Sequence, residues 1–120
     1  MSKFMSGCML LLLACTSQAE NWVKTAQNQA GDVGLIDTDY QQMRGKNRFA
    51  KVKFIYNPNH PTADSSMAIV EFSCSDYSER IISGKNYLKN NIQDKIFFED
   101  AFKPITKNSI WDSFYQVVCR

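Results

Sequence analysis

The chain has 120 residues, with 14 Lys plus Arg against 12 Asp plus Glu, one histidine, four cysteines and a formal net charge of +2. That length holds one domain with a modest core and leaves no room for a second. So even a balance gives no argument for nucleic-acid or membrane-surface binding, and a single histidine gives none for a metal centre or an imidazole base.

Residues 1–19 read as a secretion signal. Lys3 supplies a positive start, Met9–Ala14 an apolar centre too short to span a bilayer, and Ser17-Gln18-Ala19 small residues at the cleavage positions. The mature chain then begins near Glu20 and forms one domain over residues 20–120. A second reading of the same stretch is a lipobox, Leu12-Leu13-Ala14-Cys15, in which Cys15 is lipidated and becomes the new N-terminus; an uncleaved anchor is the third. Both main routes export the protein, and a lipid on Cys15 is its one expected link to a membrane.

The mature part reads mostly as strands. Trp22–Thr25 is short and β-prone, and Asp32–Ile36 resumes after a polar stretch whose Asn28 and Gly31 suit a turn. Tyr40–Met43 continues that second strand, and Arg44–Asn47 has turn chemistry. Arg48–Tyr56 is the clearest strand, with Ala50, Val52, Phe54 and Tyr56 on a core face and Lys51 and Lys53 opposite. Asn57–Thr62 carries two prolines and must be a loop. Met67–Cys74 follows, with Ala68, Val70, Phe72 and Cys74 on one side. Glu79–Ser83 is next, Gly84-Lys85-Asn86 breaks it, Tyr87–Leu88 extends beyond the break, and Ile96–Phe98 is a last short strand. Period changes at the C-terminus. Ser109 and Asp112 resemble a capping box, and Ile110, Phe114, Val117 and Val118 recur at helical spacing, with Trp111 and Tyr115 widening the stripe.

With Cys8 inside the signal and Cys15 removed or lipidated, Cys74 and Cys119 are the thiols of the folded part. Two cysteines in an oxidising compartment form one disulfide, stabilising the domain by on the order of 4 kcal/mol on loop-entropy grounds. The expected fold is therefore α+β: an antiparallel sheet of about five or six strands, a C-terminal helix packed on it, and one bridge.

Five segments in order carry a family resemblance: Asn21-Trp22-Val23, Ile36-Asp37-Thr38-Asp39, Val52-Lys53-Phe54-Ile55-Tyr56, Glu71-Phe72-Ser73-Cys74 with Arg80 beyond, and Val117-Val118-Cys119. Together they resemble the surface-adhesin protein E family of Gram-negative bacteria. The resemblance implies display in the periplasm or at the outer-membrane surface. It also implies protein partners, which in the best-known members are host vitronectin, laminin and plasminogen. It implies no catalysis and no cofactor.

The residues that fit a partner-binding role are Arg44, Lys46, Arg48, Lys51 and Lys53, five positive charges within ten residues, able to steer an acidic partner. Tyr40 and Phe49 lie close in sequence as aromatic anchors. The competing account is that these charges only keep a sheet edge from pairing with other chains. Trp22 and Trp111 are expected to pack core, and Arg80 to pair with a carboxylate such as Glu71 as a structural contact. His60 has no partner base in sequence. Asp37 and Asp39 lack a third oxygen ligand, so no metal is expected. The functional reading is a non-enzymatic exported binding protein, with a homodimer through an exposed edge strand among its expected partners. The alternative is a periplasmic lysozyme or protease inhibitor, or an envelope-assembly accessory, acting through the loop Asn57–Ser66.

Overall fold

The computed structural model describes residues 20–61, 63–89, 91–92 and 97–120. The expected signal segment, including Cys15, and Ile96 of the expected last strand lie outside the described residues. The elements in chain order are β1 (Trp22–Gln27), β2 (Val33–Asp37), β3 (Gln42–Arg44), β4 (Asn47–Ile55), β5 (Ser65–Ser73), β6 (Ser78–Leu88), β7 (Asn91–Ile92), β8 (Lys103–Pro104) and helix α1 (Ile110–Val118). They form one antiparallel sheet with a central path β1-β2-β4-β5-β6-β7, to which β3 adds beside β4 and β8 beside β6.

Strict alternation in β4 and β5 sets the two faces of the sheet. These strands pair along their whole length, from Asn47↔Ser73 to Ile55↔Ser65. Ala50, Val52, Ala68, Val70 and Phe72 are all buried on the inner face, where the helix lies. Phe114 and Phe72 are completely covered, each contributing up to about 3 kcal/mol of burial energy. Around them Phe54 packs on Trp111 and Phe114 with ring centroids 5.4 and 5.5 Å apart, and Tyr115 meets Tyr77 edge-on at 4.8 Å.

A nine-residue helix is marginal alone, so its position rests on tethers. Ser109 caps it, its hydroxyl accepting the Asp112 N–H at 3.2 Å. The Asp112 carboxylate reaches back one residue further than a capping box requires, accepting the Asn108 N–H at 3.0 Å. Ser113 shares a 2.7 Å hydrogen bond with Thr25 of β1, and the Tyr115 hydroxyl donates to the Cys74 carbonyl at 2.5 Å. Cys119 is bonded to Cys74, their Cα atoms 5.4 Å apart. The tail of the helix is thereby joined to the end of β5.

Two expectations change. Tyr40–Met43 does not continue β2. The chain turns at Thr38 and Asp39, where the Asp37 carboxylate accepts the Asp39 N–H at 2.9 Å, and β3 then pairs with the other half of β4. The Gly84-Lys85-Asn86 break is absent, and β6 runs unbroken. Gly84 instead admits the Phe97 ring, which fills the place of a Cβ, while the two backbones exchange hydrogen bonds of 2.8 and 2.9 Å. Phe97 accordingly forms an isolated bridge to Gly84. The main path of the sheet has the six strands expected, and β3 and β8 are short additions of three and two residues beside it.

At Gly34 the helix lies tight against the sheet. A Cβ there would collide with Ile110 Cγ2 and press on the Phe114 ring. Gly34→Ala is therefore expected to lower stability by about 1–3 kcal/mol through overpacking, read as a shifted urea midpoint. An unchanged midpoint would show that the helix does not rest there.

Candidate functional site

Pleating and register decide where the five basic residues of the β3–β4 region go, and they do not form one patch. Odd-numbered residues of β4 point to the outer face, away from the helix. There the Lys53 ammonium lies 4.4 Å and the Lys51 ammonium 5.9 Å from the centre of the Trp22 ring, which β1 supplies. Lys51 also pairs with Glu20, which holds the Glu20 carboxyl below the usual range. Trp22 is thus a half-buried outer-face residue clasped by lysines, not part of the core.

Arg48 is even-numbered and turns to the inner face, where its guanidinium donates to the Val118 carbonyl at 3.3 Å. That contact satisfies a free carbonyl at the negative end of the helix. Arg44 lies over the Phe49 ring, 5.1 Å from its centre. Lys46 is exposed in the two-residue turn beside Gly45, whose φ of +60° suits glycine.

At the same end of the outer face, Arg80 donates to Glu71 at 2.6 Å and lies 4.9 Å from the centre of the Phe102 ring. Glu71 is only 2% exposed and also accepts from Asn47 at 2.9 Å. Burial pushes its carboxyl up, but the Asn47 and Arg80 hydrogen bonds and the Arg80 charge outweigh that and hold it below the usual range.

Trp111 packs with Phe54, Phe72 and Phe114. Asp37 is buried and accepts the N–H groups of Asn21 at 3.0 Å and Asp39 at 2.9 Å, a turn-forming role. His60 stacks on Tyr56 at 4.3 Å and accepts the Ala63 N–H at 3.2 Å. Among the described residues, no group of three or more His, Cys, Asp or Glu side chains is placed to hold a metal ion.

An open groove of about 610 Å³ lies between β3 and the end of the helix, lined among others by Ile36, Tyr40, Met43, Arg48, Val117 and Val118. Met43 is 65% exposed and Val117 46%. Its lining mixes these apolar side chains with Asp37, Thr38, Gln41 and Gln42 around an arginine already engaged by the helix carbonyl.

Sequence reasoning missed a second acidic site. Glu79 lies on the inner face of β6, and the segment 97–105 folds back so that Glu99 meets it. Burial first, then the hydrogen bond and negative charge of Glu99, push the Glu79 carboxyl up to about 8, so it keeps its proton at neutral pH. Glu99 is held below the usual range, because its hydrogen bonds to Glu79, the Ile81 N–H (2.8 Å) and Lys103 (3.0 Å) outweigh burial. The two glutamates are far apart in sequence, and no local pattern announces the contact.

No protein-family profile, no curated protein and no solved structure matches this chain.

The sign of the Glu79 effect is fixed by its raised value. Its contribution to stability is full below about pH 4.5 and is lost as pH rises through about 8. Glu99 and Glu71, held low, act in the opposite sense and lose their contribution only on acidification below the usual range. Urea unfolding should therefore show the protein losing stability between pH 5 and 8, and Glu79→Gln should flatten that decline. An identical decline in the variant would remove Glu79 as its cause.

Proposed function

We propose that this chain is an exported, non-enzymatic binding protein of the surface-adhesin protein E type, which meets a protein partner with the outer face of its sheet. The observation that carries this reading is the Trp22 ring held between Lys51 and Lys53 on the face opposite the helix. Such a cluster combines aromatic contact area with positive charge, the pairing that dominates interface energetics and steers acidic partners. The Cys74–Cys119 bridge supports an oxidising compartment. By resemblance the partners are vitronectin, laminin or plasminogen, and the location is the periplasm or the outer-membrane surface, with or without a lipid on Cys15. A homodimer fits the same reading through a sheet edge.

One observation favours the inhibitor reading. The loop after β4 is cross-braced: Asn57 N–H donates to Asp32 at 2.8 Å, Asn59 N–H to the Asn57 side chain at 2.8 Å, and His60 stacks on Tyr56. A stiffened loop is what insertion into an enzyme cleft needs, because little freedom is lost on binding.

Two measurements separate these readings. Protease shaving of intact cells should remove the protein if it is displayed and spare it if it is periplasmic. In the purified protein, Lys51→Glu with Lys53→Glu should weaken binding to immobilised vitronectin or laminin about tenfold at low salt while leaving the unfolding midpoint unchanged. The difference should shrink near 0.5 M salt, as roughly expected from a shorter screening length. Equal binding by wild type and variant at every salt concentration would defeat the outer-face reading.

A further inference from the structure

We infer that the outer face carries a linear track for a polyanionic glycan, formed by Lys24, Lys53 and Lys85. The inference goes beyond the protein-partner reading above and assigns the same face a second class of ligand.

The track is a consequence of register. Lys24 of β1 pairs with Leu35 of β2, Leu35 with Lys53 of β4, Lys53 with Met67 of β5, and Met67 with Lys85 of β6. These five residues therefore form one row across the sheet with a lysine on every second strand. At the ordinary spacing between strands the lysines start about 10 Å apart and the row spans about 19 Å. None of the three forms an ion pair among the described residues. The carboxylates of that face are engaged elsewhere: Glu20 with Lys51, Asp37 with two backbone N–H groups, and Glu71 with Arg80.

The neighbouring rows fit the same ligand. On one side lie Gln27, Val33, Ile55, Ser65 and Tyr87, all without charge. On the other lie Trp22 paired with Asp37, and Lys51 paired with Ile69 and through it with Ser83; the one acid there, Asp37, is held by two backbone N–H groups. Beside Lys53 is a shallow hollow of about 220 Å³, lined by Lys53, Ser65, Ser66, Met67 and Tyr87. It combines an ammonium with hydroxyl donors and apolar surface, which is the chemistry of a sugar ring carrying an acid group.

Geometry favours a linear polymer over a flat anionic layer. Strands in a sheet rotate by about 20–25° from one to the next, so the lysines of a row point in directions that turn steadily about the row. A flexible chain follows that turn. A bilayer surface touches only part of it. The regular spacing likewise suits a polymer charged at regular intervals, such as a sulfated or uronic-acid polysaccharide, better than an acidic protein patch.

The test uses the purified full-length protein as exported from cells and heparin-derived oligosaccharides of graded length, followed by fluorescence anisotropy. Affinity should rise with length until the chain covers about 19 Å. Lys24→Gln with Lys85→Gln should weaken binding of the long oligosaccharide about tenfold and reduce the log–log salt slope by about two, one per lysine removed. Lys107→Gln with Arg120→Gln removes the same charge elsewhere and should change affinity less than about twofold. Thermal unfolding of both variants checks that the fold is intact. Equal losses in the two variants would reduce the effect to net charge and overturn the track. Equal affinity for a disaccharide and a long chain would replace it by a point site. Binding to phosphatidylglycerol vesicles that the oligosaccharide does not displace would replace it by a flat anionic surface. Because Lys24 and Lys85 lie outside the Trp22 cluster, and the assay is independent of cell localisation, failure here is separable from failure of the protein-binding or display reading.

Discussion

The seating of one short helix on Gly34 governs the rest of this structure. Nine helical residues do not hold together unaided, and only a residue without a side chain lets Ile110 and Phe114 come close enough to the sheet to be buried. Everything else about the helix reinforces that contact. Ser109 closes its first turn, Ser113 binds Thr25, Tyr115 binds the Cys74 carbonyl, and the disulfide joins its C-cap, Cys119, to Cys74 just beyond β5. Even the left-handed backbone at Tyr77, φ +53°, has a reason in this assembly, since it accompanies a ring packed on Tyr115 with its hydroxyl donating to Asp112 at 2.7 Å. A tyrosine in that conformation costs about 1–2 kcal/mol, offset here by burial of the ring and the hydrogen bond. The inner face is thereby occupied, and the outer face is the one turned away from the helix.

The cationic side chains divide along chemical lines. Arg48 and Arg80 are committed to a helix carbonyl and a buried carboxylate, and Arg44 and Arg80 lie over phenylalanine rings. A planar fork with several donors suits fixed partners and aromatic faces. Lysines of the outer face do something different. The ammonium groups of Lys51 and Lys53 lie over the Trp22 ring, each a compact, strongly hydrated point charge rather than a planar fork of fixed donors.

Glu71 and Glu79 show how neighbours rather than burial alone set protonation. Both are almost fully covered, and they sit on opposite faces of the β5–β6 pair, through Glu71↔Arg80 and Phe72↔Glu79. Glu71 is given an arginine and an amide and stays ionised, whereas Glu79 is given another carboxylate and keeps its proton. Adjacent residues of β6, Glu79 and Arg80, thus face two unlike environments because consecutive side chains of a strand point to opposite sides.

What the residues alone determined is whatever has a short period or a local chemical cause. The alternation of Ala50, Val52 and Phe54 against Lys51 and Lys53 marks a two-faced strand, Ser109 before Ile110 marks a helix start, and the two thiols Cys74 and Cys119 mark a bridge. Tertiary structure alone decided the rest. It turned Arg48 inward and left Lys53 outward, joined β6 through Gly84 by seating Phe97 there, brought Glu99 to Glu79, and aligned Lys24, Lys53 and Lys85 across strands far apart in sequence. The physical reason is that pleat and capping act within a few residues, while register and close approach are settled only when distant segments pack, and a one-residue slip would send every side chain of a strand to the other face.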